Sequence, residues 1–351
     1  MITDLRLQHF RSYKDESFEL SPGVNIVVGP NASGKTNLLE AILVLARGSS
    51  YRASDPELIG FGQPWARIDG HHENSAQRTV KIMVEPPSKS FELDGKSYRR
   101  LSLAHSLPVV LFEPNHLQLF VGGPDRRRDY LDDLLEQTTP GYSSLRRQYR
   151  RALAQRNSLL KQPRHGASET QIFPWNIRLS QLAGQVVRAR TGLVDNLNKD
   201  LGALYKKLSK SRGKVAARYD SRWPPEHYES HFLKKLESSL ADDRLRGFTG
   251  SGPHREDLVV SFDDHPAQAA ASRGEVRTVV LALKILELKL LEAARDSTPL
   301  LLLDDVFSEL DGRRRHALTD YLAPYQTFIT TTDADLVTKN FTSHTNVIAL
   351  G

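Results

Sequence analysis

The 351-residue chain has no cysteine, which excludes structural disulfides and thiolate metal sites together. It also lacks any segment near the roughly 20 apolar residues needed to cross a bilayer. The richest candidate, residues 279–291, is interrupted by Lys284, Glu287 and Lys289. The amino-terminal Met1-Ile2-Thr3-Asp4-Leu5-Arg6-Leu7 has no long apolar core of the signal-peptide kind. These absences lead to the expectation of a cytoplasmic protein with no membrane partner. Internal repeats and low-complexity tracts are missing too, and the length suits two or three globular domains.

What the chain does have is charge of one sign in one place. Residues 121–220 hold 20 Lys plus Arg against 9 Asp plus Glu, a balance of +11 within a total of +6, so the remainder carries −5. Such a concentration favours a polyanionic partner, although a well-solvated helical surface has the same composition.

The chemistry begins at Gly29-Pro30-Asn31-Ala32-Ser33-Gly34-Lys35-Thr36, which matches the pattern G-x-x-x-x-G-K-[ST]. The strand-like Val24-Asn25-Ile26-Val27-Val28 precedes it, and residues 34–46 follow as a helix with Leu38, Leu39, Ile42 and Leu45 on one face. In that setting backbone N–H groups converge on phosphates at a helix N-terminus. Lys35 neutralises the β- and γ-phosphates of ATP, and Thr36 offers a hydroxyl to Mg²⁺. The acidic partner, Leu300-Leu301-Leu302-Leu303-Asp304-Asp305, begins 264 residues after Thr36. Asp304 is the expected Mg²⁺ ligand, and Asp305 the residue that polarises the attacking water. A separation of this size implies a large insertion into an ATPase head.

The insertion reads as helical. Two helical stretches follow Gly122-Gly123-Pro124, ahead of a break at Thr138-Thr139-Pro140-Gly141. Tyr142, Leu145, Tyr149, Ala152 and Leu159 then keep three- and four-residue steps, with Arg156 in a seam position. The pattern resumes at Trp175, Leu179, Leu182, Val186 and Ala189 and runs on to Leu208. Two apolar seams joined by a short polar loop predict an antiparallel helical hairpin, its first helix about 28 Å long. The expected domains are residues 1–122 and 246–351 as the two parts of the head, with 123–245 as a basic arm.

Short motifs beyond the arm set the class. Ser272-Arg273-Gly274-Glu275 at the start of a helix resembles the signature of ABC-type ATPases, and Ser308-Glu309-Leu310-Asp311 resembles their D-loop. The resemblance implies an α/β head of mixed sheets with flanking helices. It also implies that Ser272 and Gly274 bind the ATP held by a second copy, so that ATP drives a homodimer. Leu7-Gln8-His9-Phe10-Arg11-Ser12-Tyr13 and Asn37-Leu38-Leu39-Glu40-Ala41-Ile42 are similar to the SMC-like branch, which makes Arg11, Ser12 and Asn37 further nucleotide-binding candidates. Gln118 stands as candidate for the Q-loop glutamine, a metal ligand. Several positions depart from the pattern: Arg273, Glu275 and Val276 replace common glutamines, and Thr332 takes the place of a switch histidine. Asp305 replaces a glutamate, which predicts slow turnover.

Phe112-Glu113-Pro114-Asn115-His116-Leu117, Arg126-Arg127-Arg128-Asp129-Tyr130-Leu131-Asp132 and Gly252-Pro253-His254-Arg255-Glu256-Asp257 resemble blocks of the RecF family of recombination mediators. That resemblance covers the whole chain. It implies a DNA-binding ATPase acting at double-stranded, gapped or junction DNA, helping RecR, with RecO, load the recombinase onto SSB-coated strands. Arg126, Arg127, Arg128, Arg146, Arg147, Arg150 and Arg151 are the candidate DNA phosphate contacts. The alternatives are an ABC transporter ATPase subunit and a P-loop small-molecule kinase. The long insertion opposes the first, and Ser272-x-Gly274 opposes the second.

Overall fold

In the computed structural model, alternating apolar positions make Ile2–Phe10 (β1) and Tyr13–Glu19 (β2) an antiparallel pair, followed by the buried strand Val24–Val28 (β3). Helix Lys35–Arg47 (α1) comes next, ended by Gly48 in the left-handed conformation. Trp65–His72 (β4), Ala76–Met83 (β5), Ser88–Leu93 (β6), Lys96–Tyr98 (β7) and Val109–Phe112 (β8) complete the amino-terminal part. The insertion holds helices Pro124–Thr138 (α2), Tyr142–Leu160 (α3) and Glu169–Ser209 (α4), then strand Val215–Asp220 (β9). Helices Tyr228–Ser238 (α5) and Leu240–Arg246 (α6), strands Asp257–Phe262 (β10) and His265–Pro266 (β11), and helix Arg273–Arg295 (α7) follow. The chain closes with Leu300–Asp304 (β12), Val306–Glu309 (α8), Gly312–Leu322 (α9), Thr327–Thr331 (β13), Ala334–Thr338 (α10) and Thr345–Ala349 (β14). The structure describes residues 1–72, 76–161, 168–209, 213–267, 271–339, 341 and 345–351.

Two compact units emerge, Met1–Leu117 with Glu287–Gly351, and Gln118–Leu286. The first carries an antiparallel sheet ordered β2-β1-β4-β5-β6-β7 and a parallel sheet ordered β14-β3-β13-β12-β8. Its core joins both sheets through α1, where Leu38, Ile42 and Leu45 pack with Leu5, Ile68, Leu302 and Phe328. Continuous apolar runs such as Leu300–Asp304 suit a parallel strand covered on both faces.

The second unit is mainly helical, with a small sheet ordered β11-β10-β9. Its hairpin runs antiparallel: Arg156 meets Asn176, while Asp132 joins Tyr142 to Arg190 further along both helices. Helix α4 has 41 residues and takes in the whole seam from Trp175 to Leu208, so it spans about 60 Å, about twice the length of its partner. Two expectations change here. The region after Gly123 forms one helix, α2, not two. Residues 246–286 group with the insertion rather than the head, because β10 pairs with β9 along its whole length. No helix among the described residues is long and apolar enough to cross a membrane.

Candidate functional site

The loop between β3 and α1 is shaped by two glycines. A Cβ on Gly29 would stand 2.4 Å from the Leu350 carbonyl oxygen, and Gly34 has φ +105° beneath the Tyr13 ring. The Tyr13 hydroxyl donates to Gly34 O at 3.1 Å. Lys35 Nζ curls back over its own loop and donates to the carbonyls of Gly29 (2.8 Å) and Pro30 (2.7 Å). The Ser33 hydroxyl is buried with no hydrogen-bond partner. An unsatisfied buried polar group costs roughly 1–3 kcal/mol, so the loop fits a ligand that would accept from it.

Parallel pairing of β12 with β13 carries the acidic pair to the same place. Asp304 Oδ1 accepts from Thr36 Oγ1 at 3.0 Å and from Thr330 Oγ1 at 2.7 Å. Asp305 turns into the left-handed region (φ +51°), and its N–H donates to the same Thr330 hydroxyl at 2.9 Å. Thr330 therefore holds the Asp304 carboxylate and the Asp305 backbone together, a role that no sequence motif announces. Partial burial raises the Asp305 carboxyl above its ordinary pKa, and the Asp304 charge adds to this against the Ser308 hydroxyl and Lys35. A cavity of about 390 Å³ is lined by Lys35, Thr36, Asn37, Arg52, Asp304 and Asp305 together with loop residues.

Arg11, expected near phosphates, instead makes a two-pronged pair with the buried Glu40 at 2.9 and 3.0 Å and does not line the cavity. Glu40 also accepts from Arg52 (2.9 Å) and Ser50 (2.6 Å). Burial pushes the Glu40 carboxyl up, but these donors outweigh it and hold it below its ordinary pKa. Ser12 Oγ accepts from Asn37, whose side-chain oxygen accepts from Arg52 at 2.8 Å. Arg52 is thus the cavity's second cation. Sequence reasoning missed it because a lone arginine in a loop carries no pattern.

Ser272 and Gly274 belong to the other unit, at the start of α7. Ser272 Oγ accepts from Glu275 N (3.3 Å) while Glu275 accepts from Ser272 N (2.8 Å), a reciprocal capping box. The family departure at Glu275 therefore has a local use. Gln118 is exposed at the end of the short helix Pro114–Gln118 and is not among the cavity-lining residues.

The arginine set divides. Arg127 is 4% exposed, paired with Asp257 through two bonds of 2.7 Å and donating to Leu119 and Gly122 carbonyls. Arg128 is held by Asp125 and Glu256 O, and Arg146 lies among Asp129, Asp132 and Glu136. These three serve the unit's own packing, because their charge is neutralised within it. Arg126, Arg147, Arg150 and Arg151 remain exposed to solvent.

A phosphate loop against a threonine-held acidic strand end, in a head interrupted by a helical insertion, defines an ATPase head of the SMC-like ABC class. The RecF/RecN/SMC N terminal domain family matches residues 1–349. The DNA replication and repair protein RecF of an Exiguobacterium species is 35% identical over 95% of this chain and 93% of its own. RecF of Limosilactobacillus fermentum is 34% identical over 100% and 97%. A solved structure of the recombination mediator RecF with ATPrS, in the RecFOR pathway, superposes with a TM-score of 0.88 at 28% identity, covering 96% of this chain and 94% of that one. An Smc head bound to a ScpA domain shares the fold alone, at TM-score 0.54 and 16% identity. The chain belongs to the RecF family of DNA replication and repair proteins.

Proposed function

We propose that this chain is a slow, DNA-stimulated ATP hydrolase that dimerises on ATP and marks gapped or junction DNA for recombinase loading with RecR and RecO, in the cytoplasm. The observation that carries the reading is the 3.0 Å bond between Thr36 and Asp304, residues 268 apart in sequence. Thr36 and Asp304 supply hard oxygen donors suited to Mg²⁺. The phosphate oxygens of the nucleotide and water would supply its other donors. Bound there, Mg²⁺ would neutralise charge on the transferring phosphoryl group. Lys35 exchanges its two loop carbonyls for phosphate oxygens, Arg52 adds a second positive charge, and Asp305 orients the attacking water. Ser272 and Gly274 serve the nucleotide of a second copy, as the resemblance to ABC signatures implies, while Arg126, Arg147, Arg150 and Arg151 hold DNA phosphates.

Sedimentation with and without ATP, on the protein alone and with duplex DNA, tests this reading. The expected result is a monomer that dimerises with ATP and binds DNA at low salt. Lys35→Arg should impair ATP-driven dimerisation or hydrolysis, and Ser272→Arg should weaken dimerisation while largely sparing ATP binding by the monomer. Dimerisation indifferent to ATP would overturn it.

A further inference from the structure

One buried carboxylate behind the phosphate loop holds two arginines, and only one of them faces the cavity. Glu40, on α1, is fully buried. Its Oε1 accepts from Arg11 Nη2 (3.0 Å) and Ser50 Oγ (2.6 Å), and its Oε2 from Arg11 Nε (2.9 Å) and Arg52 Nη2 (2.9 Å). Each oxygen therefore has two donors, and one negative charge meets two positive ones. Glu57 and Tyr51 also lie within reach of the Glu40 charge, while Asp304, which lines the cavity with Arg52, acts on Arg52.

The two arginines are not equivalent. Arg11 grips the carboxylate with two nitrogens, and its backbone sits in the left-handed region (φ +52°) with its N–H donating to Leu58 O at 2.9 Å. A non-glycine residue stays in that region only where its surroundings fix it. Arg52 reaches Glu40 through Nη2 alone, and that nitrogen also donates to Asn37 Oδ1 at 2.8 Å. Its side chain is 36% exposed against 23% for Arg11, and it lines the cavity. ATP brings several negative charges to that cavity, against the single charge of Glu40.

We propose that Arg11 is a positioning residue for ATP, which keeps Glu40 neutralised while Arg52 turns from Glu40 to the phosphates. The proposal rests on the ATP-binding reading and adds what frees the cavity's second cation. A buried carboxylate that loses its only cation either resists the move or takes up a proton, because burial without a partner favours the neutral acid. With Arg11 in place neither happens. Three of the four donors and a full positive charge stay on Glu40 after Arg52 has left. Arg11 thus acts on the nucleotide through Glu40 and Arg52 without touching it, in keeping with its absence from the cavity lining.

The test measures the affinity of the full chain for ATP with Mg²⁺, by isothermal titration between about pH 6 and 8. Arg11→Gln leaves Arg52 as the only cation on Glu40 and should weaken ATP binding about tenfold or more at the alkaline end. Binding then takes up a proton, so the affinity of this variant relative to wild type should fall as pH rises, by up to about tenfold per unit. Adding Glu40→Gln removes the stranded charge and should return the affinity to within about threefold of wild type at every pH. Arg11→Lys, which keeps the charge, should keep the wild-type pH response. No loss in Arg11→Gln, a loss equal at all pH values, or one that Glu40→Gln does not restore overturns the proposal. Should Arg11→Gln not fold, Glu40→Gln with and without it carries the test. Those two affinities should agree within about twofold, and a larger difference overturns the proposal by making Arg11 a ligand in its own right. A wild-type chain that binds no ATP overturns the parent reading instead, so the two failures are distinct.

Discussion

At the scale of single residues, the site depends on which charges are spent inside the protein. Asp305 takes up its proton at a higher pH than an ordinary aspartate, chiefly because water is partly withdrawn from it. Only the ionised form orients and polarises water, so the proton must leave Asp305 before it can act. Asp305→Asn, which keeps the shape and removes the charge, should remove most of the turnover while ATP binding persists, read by ATP hydrolysis beside nucleotide binding. His254 shows the opposite environment. Burial holds its ring down to about 4, and Tyr149 and Thr249 O occupy its two nitrogens. As pH falls the unfolded chain takes the proton first, so stability from this group is full above about 6.5 and is lost down to about 4. His254→Gln should flatten the pH dependence of Tm across that window, and an unchanged slope would contradict the assignment.

At the scale of elements, the motif-bearing segments were legible and the arm was legible only in outline. The strand–loop–helix around residues 24–47 follows from apolar spacing and two glycines whose backbone geometry excludes other residues. The seam of α4 was visible through Leu179, Leu182, Val186, Leu193 and Leu197, all of which are buried. Arg156 in the seam of α3 looked like an interruption. It is instead the centre of a polar core whose partners, Asp243 and Thr249, lie 87 and 93 residues away. Arg156→Leu strands Asp243 without its cation and should cost about 3–5 kcal/mol, read from the denaturation midpoint. Replacing Asp243 with leucine as well should recover part of that loss, since the uncompensated charge goes with it.

At the scale of the whole molecule, the +11 concentrated in residues 121–220 overstates the charge available to a partner. Arg127, Arg128, Arg146, Arg156 and Arg190 are all engaged with acids or carbonyls inside their unit. The salt dependence of duplex binding should therefore respond to the exposed arginines. Reversal of Arg126, Arg147 and Arg151 to glutamate should lower the slope of log K against log salt by roughly 2–3, at about 0.9 per phosphate contact. A slope that does not move would place the DNA elsewhere.

The sequence by itself determined the phosphate loop, the acidic strand, the insertion between them and the family, because each depends on residue types at fixed local spacing. Only the tertiary structure decided that Thr330 ties the Asp304 carboxylate to the Asp305 backbone, that Arg52 rather than Arg11 reaches the cavity, and that Arg127 belongs to Asp257. A charge is used up or left free by partners brought together from distant parts of the chain, and no local pattern records that meeting.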